Sequence, residues 1–139
     1  MSLILVTSAN GRYGVGPKKS TSQAILDGQV LVYDVATGNV VPANASTTFA
    51  EAEFVSTEAV TAPAALNKVH AFKISENDRY IADTVNNSNE AHTGQKMILN
   101  ATGNIVNNTG TDSAVGVVRQ VGVIGAAANK QILVEFVTK

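Results

Sequence analysis

The 139-residue chain has no cysteine and no tryptophan, and its aromatics are four Phe and three Tyr. Without cysteine there is no disulfide framework, no thiolate metal site and no thiol nucleophile. So few aromatic rings leave little on which bases or sugars can stack. Neither sign of charge dominates: ten Lys and Arg face eleven Asp and Glu, for a net charge of -1. Nothing there argues for nucleic acid or a membrane surface as a partner. Long apolar runs are missing too, Leu3-Ile4-Leu5-Val6 being as long as they get, far short of a membrane span or the core of a signal peptide. Without an export signal, the sequons at Asn44, Asn86, Asn100 and Asn107 are expected to stay unglycosylated and the product to be made in a cytoplasm.

What is present is a repeated stretch. Gly28-Gln29-Val30-Leu31-Val32-Tyr33-Asp34-Val35-Ala36-Thr37-Gly38-Asn39-Val40-Val41 returns as Gly94-Gln95-Lys96-Met97-Ile98-Leu99-Asn100-Ala101-Thr102-Gly103-Asn104-Ile105-Val106 once Val35 is skipped. Each copy runs from an apolar strand pattern through Ala-Thr-Gly-Asn into a second apolar run, the signature of a β-hairpin. The skipped Val35 suggests a bulge in the first copy. Leu31 and Tyr33 align with Met97 and Leu99, so this line should face the core, while the line through Val30 and Lys96 should face water or a partner.

The duplication continues downstream. Ala64-Ala65-Leu66-Asn67-Lys68 matches Ala126-Ala127-Ala128-Asn129-Lys130, and a strand pattern follows each, which aligns His70 with Ile132 on a core line. Residues 49–54 fit either a short helical turn or a strand. Residues 115–123 read as a strand with Val115, Val117, Val121 and Val123 on one face, and residues 80–85 as another. No twelve residues show helical periodicity. The expectation is a mostly β domain, a compact sandwich or barrel of two related hairpin-plus-strands units at 22–74 and 89–137. A single β domain then spans 21–139 behind an extended Gly-rich arm at 1–20. That arm carries Arg12, Lys18 and Lys19 and no acid, whereas the remainder has seven bases against eleven acids. One unit of about 50 residues cannot cover its own apolar face, so the two should close on each other. With much of the apolar content in Ala and Val, which bury little area each, further burial against copies of the chain is expected.

Chemistry-bearing patterns are few. Gly11 to Thr21 mimics a phosphate-binding loop, but Pro17 and an extra Lys break the spacing and no helix follows. His70 reads as a buried or interface histidine with one satisfied hydrogen bond, and His92 as a solvated residue of a polar connection. Glu76, Asp78 and Asp83 are the nearest approach to a carboxylate cluster, without the Gly and closing Glu of a calcium loop. There is no Gly-x-Ser-x-Gly elbow and no flagged carboxylate pair. The expectation is a non-enzyme without cofactor or metal.

Thr93-Gly94-Gln95-Lys96-Met97-Ile98-Leu99 through Ile105, then Val115-Gly116-Val117-Val118 and Ile132-Leu133-Val134-Glu135-Phe136-Val137, resembles the small capsid decoration (cement) proteins of tailed bacteriophages. There a strand opening on Gly-Asp/Gln leads to a hairpin, a Val-Gly-Val-Ala strand, an Ala/Gly-rich turn and an apolar last strand. This chain departs at Val118, where the family often has a small residue, and in its basic arm. The resemblance implies a homotrimer on the outside of the assembled head, in the virion, clamping neighbouring copies of the major capsid protein against packaged DNA. It makes Arg12, Tyr13, Lys18 and Lys19 of the arm the candidate capsid contacts, cations and an aromatic against an acidic shell. A head-fibre, adhesion or glycan-binding module and a tail or baseplate subunit are the alternatives.

Overall fold

The computed structural model describes residues 3–7, 18–21, 23–48, 51–61, 67–75, 78–125 and 129–137. Its elements are β1 (Ile4–Thr7), β2 (Lys18–Thr21), β3 (Val30–Tyr33), β4 (Val40–Pro42), β5 (Phe54–Ser56), β6 (Asn67–Lys73), β7 (Arg79–Ser88), a single 3-10 turn (Glu90–His92), β8 (Lys96–Leu99), β9 (Val106–Asn107), β10 (Val118–Val123) and β11 (Asn129–Phe136). There is no α-helix among the described residues, and the fold is mostly β, as the alternating patterns require.

Two sheets form, in the orders β2-β6-β5-β3-β4 and β1-β7-β11-β10-β8-β9. Setting β1 aside, both sheets have the same topology. β2 and β7 correspond, and β3 to β6 correspond one by one to β8 to β11. The loop bonds repeat as well. Gly28 N–H donates to Ser56 O and Gly94 N–H to Gln120 O, both at 2.9 Å; Glu53 N–H donates to Leu31 O at 3.0 Å and Val117 N–H to Met97 O at 2.9 Å. The duplication is therefore a duplication of fold, down to individual amide bonds.

Each half curls on itself. In the second, β9 pairs in parallel with β7 through Thr84 and Val106, closing β7-β11-β10-β8-β9 into a five-stranded barrel. β1 takes the earlier part of the same edge of β7, with Ile4 opposite Ile81. The first half stays a curled half-barrel. It has its own core of Leu31, Val40, Phe54, Val69 and Ala71, covered by Ile25, which bridges to Val60. The larger core holds Tyr80, Met97, Leu99, Val106, Val118, Ile132, Val134 and Phe136 of the barrel, and with them Val30, Ala43, Val55 and Ile74 of the first half. So the halves do not close face to face over one core. Each covers its inner face by curling, and the outer face of the first then packs against the second.

Several expectations change. Within residues 1–20, β1 pairs with β7, in keeping with the strand pattern at residues 2–7, and β2, paired with β6, runs across the expected boundary at residue 20. Val35 causes no bulge: Leu31, Val32 and Tyr33 pair in step with Pro42, Val41 and Val40. In each hairpin four residues separate the N–H of Asp34 or Asn100 from the carbonyl of Asn39 or Ile105 that receives it. The loops are equally long, and only their glycine moves by one place. Of the predicted core line, Leu31, Met97 and Leu99 are buried, but Tyr33 is 44% exposed and rests edge-on against Phe54. In β10 the inward residues are Val118 and Gln120, so Arg119 and Val121 share the outer face. Thr48 and Glu51 turn the chain ahead of β5, with Glu51 and Ala52 N–H donating to Thr48 O and Thr48 N–H to the Glu51 carboxylate.

The joint between halves rests on the second hairpin's tip. Val30 N–H donates to Gly103 O at 2.8 Å, and Gln29 Nε2 donates to Thr102 O at 2.5 Å. Gly103 has φ +70°, and a Cβ there would lie 2.6 Å from Ala43 O. Gly38, in the other hairpin, has φ +74° with nothing within 4 Å. Gly38→Ala should therefore cost about 1 kcal/mol, the left-handed penalty alone, and Gly103→Ala about twice that or more. Equal losses in urea unfolding would show that the tip of the second hairpin carries no joint.

Candidate interaction surfaces

Of the four candidate contact residues, Arg12 and Tyr13 lie outside the described residues. Lys18 and Lys19 are in β2, opposite His70 and Val69 of β6. The backbone of both lysines is thus held in a ladder, which a mobile arm would not provide.

His70 sits on the outer face of β6. The register pairs Phe54 with Lys73 and Val118 with Phe136, so His70 corresponds to Leu133 and not to Ile132. The inward residues are its neighbours Val69 and Ala71. Its Nδ1 lies 2.8 Å from Glu58 Oε1, which also accepts the His70 N–H at 2.8 Å.

His92 is not a free loop residue either. Asn108 Nδ2 donates to its Nδ1 at 2.7 Å, and Ser88 Oγ stands 3.1 Å from the same nitrogen. Ser88 Oγ donates to Gln120 Oε1, and Gln120 Nε2 donates to Asn89 O at 2.8 Å. A serine hydroxyl beside an imidazole has the outline of a nucleophile and its base. Here the serine is 1% exposed, its proton is given to Gln120, and the imidazole lone pair is taken by Asn108. No substrate can reach that oxygen. The cluster ties β7, the 3-10 turn, the residue after β9 and β10 together, as Ser56 does at the Gln120 position of the first half by accepting from Gln29 N–H. Among the described residues no group of three or more His, Asp or Glu could hold a metal; Asp78 is fully buried, and Asp83 accepts from Gln131 Nε2 at 3.2 Å.

Two surface features remain. One is a row of charges across the outer face of the barrel. The registers set Arg79 opposite Glu135, Glu135 opposite Arg119, and Arg119 opposite Lys96. Glu135 lies 3.9 Å from both guanidinium groups, and Lys96 Nζ lies 3.9 Å from Asp112. At such distances on a half-exposed surface these pairs add little stability, and the row keeps an excess of one positive charge. The corresponding row of the first half is Val30, Val55 and Phe72, which is buried.

The other feature is a groove of about 530 Å³ beside the first hairpin, lined by Val32, Tyr33, Val35, Asn44, Thr47, Glu51 and Glu53 among others. Val35, at the hairpin tip, is 96% exposed. With this geometry in hand, comparison with protein-family models and with curated proteins gives no match.

Sequence reasoning missed the Ser88–His92–Asn108–Gln120 cluster because its members have no motif spacing. It missed the charged row because strand register, not sequence, brings Arg79 beside Glu135. One signal was available, the exchange of Val30 for Lys96 between two otherwise matching copies. Removing the amide by Asn108→Ala should lower stability by about 1–3 kcal/mol, since it strands buried polar atoms of Ser88 and His92. Glu135→Gln, in the exposed row, should cost under about 1 kcal/mol. Denaturant unfolding of both variants checks the contrast, and equal effects would deny the cluster its structural role.

Proposed function

We propose that the protein is a structural component of a phage virion, a decoration protein that binds the outside of the assembled head and clamps neighbouring major capsid subunits. The observation that carries this reading is where the resemblance falls: residues 93–137 coincide with β8 to β11, four of the five strands of the closed barrel. The first half repeats that unit. Further support comes from surfaces that offer contacts in place of a reaction centre: a charged row, a shallow groove and a buried Ser–His pair that is sealed from substrate. Many weak contacts repeated by capsid symmetry give strong retention without a deep site. Arg12, Tyr13, Lys18 and Lys19 remain the proposed capsid-facing residues, in a homotrimer.

The test is co-sedimentation with expanded and unexpanded capsids. Binding to expanded shells alone is the expected outcome, and failure to bind any capsid removes the decoration role. Deleting residues 1–20 is a poor probe of contact, because it removes β1 and most of β2. Arg12→Glu with Tyr13→Ala should weaken capsid binding several-fold at unchanged melting temperature. One observation favours a second reading, a glycan-binding module: Tyr33 is half-exposed in a groove that also holds Glu51 and Glu53. Such a module would bind sugar without any capsid present.

A further inference from the structure

The halves repeat one fold but are not used alike, and the difference leaves one hairpin tip exposed. Inside the chain, the tip of the second hairpin (Thr102, Gly103) lies on the stem of the first (Gln29, Val30, Ala43), through the Val30 and Gln29 bonds described above. The counterpart of that tip is Ala36-Thr37-Gly38, and the counterpart of that stem is Gln95, Lys96 and the residue bonded to Lys96 O. Ala43 N–H donates to Val30 O at 2.9 Å, and Ser113 N–H donates to Lys96 O at 3.0 Å, so Ser113 stands where Ala43 stands. Among the described residues the first tip, Val35 to Gly38, is exposed, and on the second stem the place of a tip is taken by the chain's own Asp112, whose Oδ1 accepts from Lys96 N–H at 2.8 Å.

At the tip, Val35 is almost wholly exposed, and Tyr33 is half-exposed where its counterpart Leu99 is fully buried. At the stem, Gln29 donates across the joint from Nε2 to Thr102 O and accepts on Oε1 from Leu26 N–H of its own half; in its counterpart Gln95 it is the second of these, the acceptor Oε1, that is buried without a partner. The charges match too. Val117, in the core near the joint, has Glu53 as its counterpart in the first half, and Val30 has Lys96. Where the internal joint sets apolar against apolar, the counterpart positions set Glu51 and Glu53 against Lys96 and Arg119.

We propose that a second copy of this chain docks here, head to tail: the first hairpin tip of one copy seats on the Gln95–Lys96 stem of the next and repeats the internal joint between molecules. The contact is heterologous, so each copy keeps one free tip and one free stem until a ring closes. One bond has to be exchanged. Lys96 N–H, the counterpart of the Val30 donor, is held by Asp112 Oδ1 at 2.8 Å. An incoming tip carbonyl would take that amide, leaving the half-exposed Asp112 to water and to Lys96 Nζ. Asp112 is thus a latch that weakens self-association without abolishing it. The inference does not depend on the capsid reading, since it concerns copies of this chain alone.

The absence of cysteine makes a clean test. Thr37→Cys and Ser113→Cys, counterparts of the Gly103–Ala43 contact, are made in separate proteins, mixed and mildly oxidised, so that only an intermolecular disulfide can join them. The expected result is a mixed disulfide that Val35→Asp in the Thr37→Cys protein suppresses. In sedimentation of the otherwise unchanged chain, Val35→Asp should give monomer, and Asp112→Ala should tighten association about tenfold by freeing the Lys96 amide. Circular dichroism confirms that the variants fold. A monomeric wild-type chain, or oligomers indifferent to Val35→Asp and lacking the disulfide, would overturn the proposal. Capsid binding by such a chain would leave the proposed function standing.

Discussion

The structure depends on one row of side chains. Val30, Val55 and Phe72 lie side by side on the outer face of the first half, where a solitary half-barrel would show them to water. Burying Val30 and Val55 in the core of the barrel, with the Val30 amide bonded to Gly103 O, turns two curled sheets into one body. At about 25 cal/mol per Å² these two side chains supply a few kcal/mol of association between halves, and the amide bond sets how they meet. In the second half the same row is Lys96, Arg119 and Glu135, which water solvates. A duplicated fold has thus been divided by charge: apolar where the halves join and ionic where they do not.

This division explains which features could be read from the residues. The repeat was legible because hairpin, turn and strand each leave a short local pattern, and the period-two alternation of Met97 and Leu99 gave the inner face of the barrel correctly. Tyr33 broke the rule because its end of the half-barrel is open, a property of how the halves sit and not of the strand. Val35 misled for a different reason. Aligning Ala-Thr-Gly-Asn by letter forces a gap, while the two backbones make loops of equal length with the glycine at different places. His70 was misplaced by the same one-residue error, which in a strand moves a side chain to the opposite face.

The candidate surfaces were less legible than the fold. Arg12, Lys18 and Lys19 cluster without an acid in the sequence, and two of them, Lys18 and Lys19, fall in β2, whose backbone is held in a ladder. The cation row on the barrel is invisible in the sequence because Arg79, Lys96 and Arg119 are spread over forty residues and meet only through the registers of β7, β11, β10 and β8. Yet Val30 and Lys96, at one place in two matching copies, were in plain view. An exchange of apolar for charged at a matched position is what a repeat shows when one copy is covered and the other is not.

That asymmetry limits what the chain can do alone. Had both halves kept the apolar row, each molecule would expose a sticky stem and a sticky tip, and head-to-tail growth would run without control. Replacing the row by Lys96 and Arg119, and filling the stem's amide with Asp112, lowers the gain from each further joint while keeping its geometry. The half-open first half retains a groove with Glu51 and Glu53 and an exposed Val35, opposite in sign to Lys96 and Arg119 of the second half. A charge-steered contact of this kind strengthens when copies are held near one another, as on a symmetric surface. The same substitutions that lower the gain from each joint therefore favour assembly where copies are already concentrated.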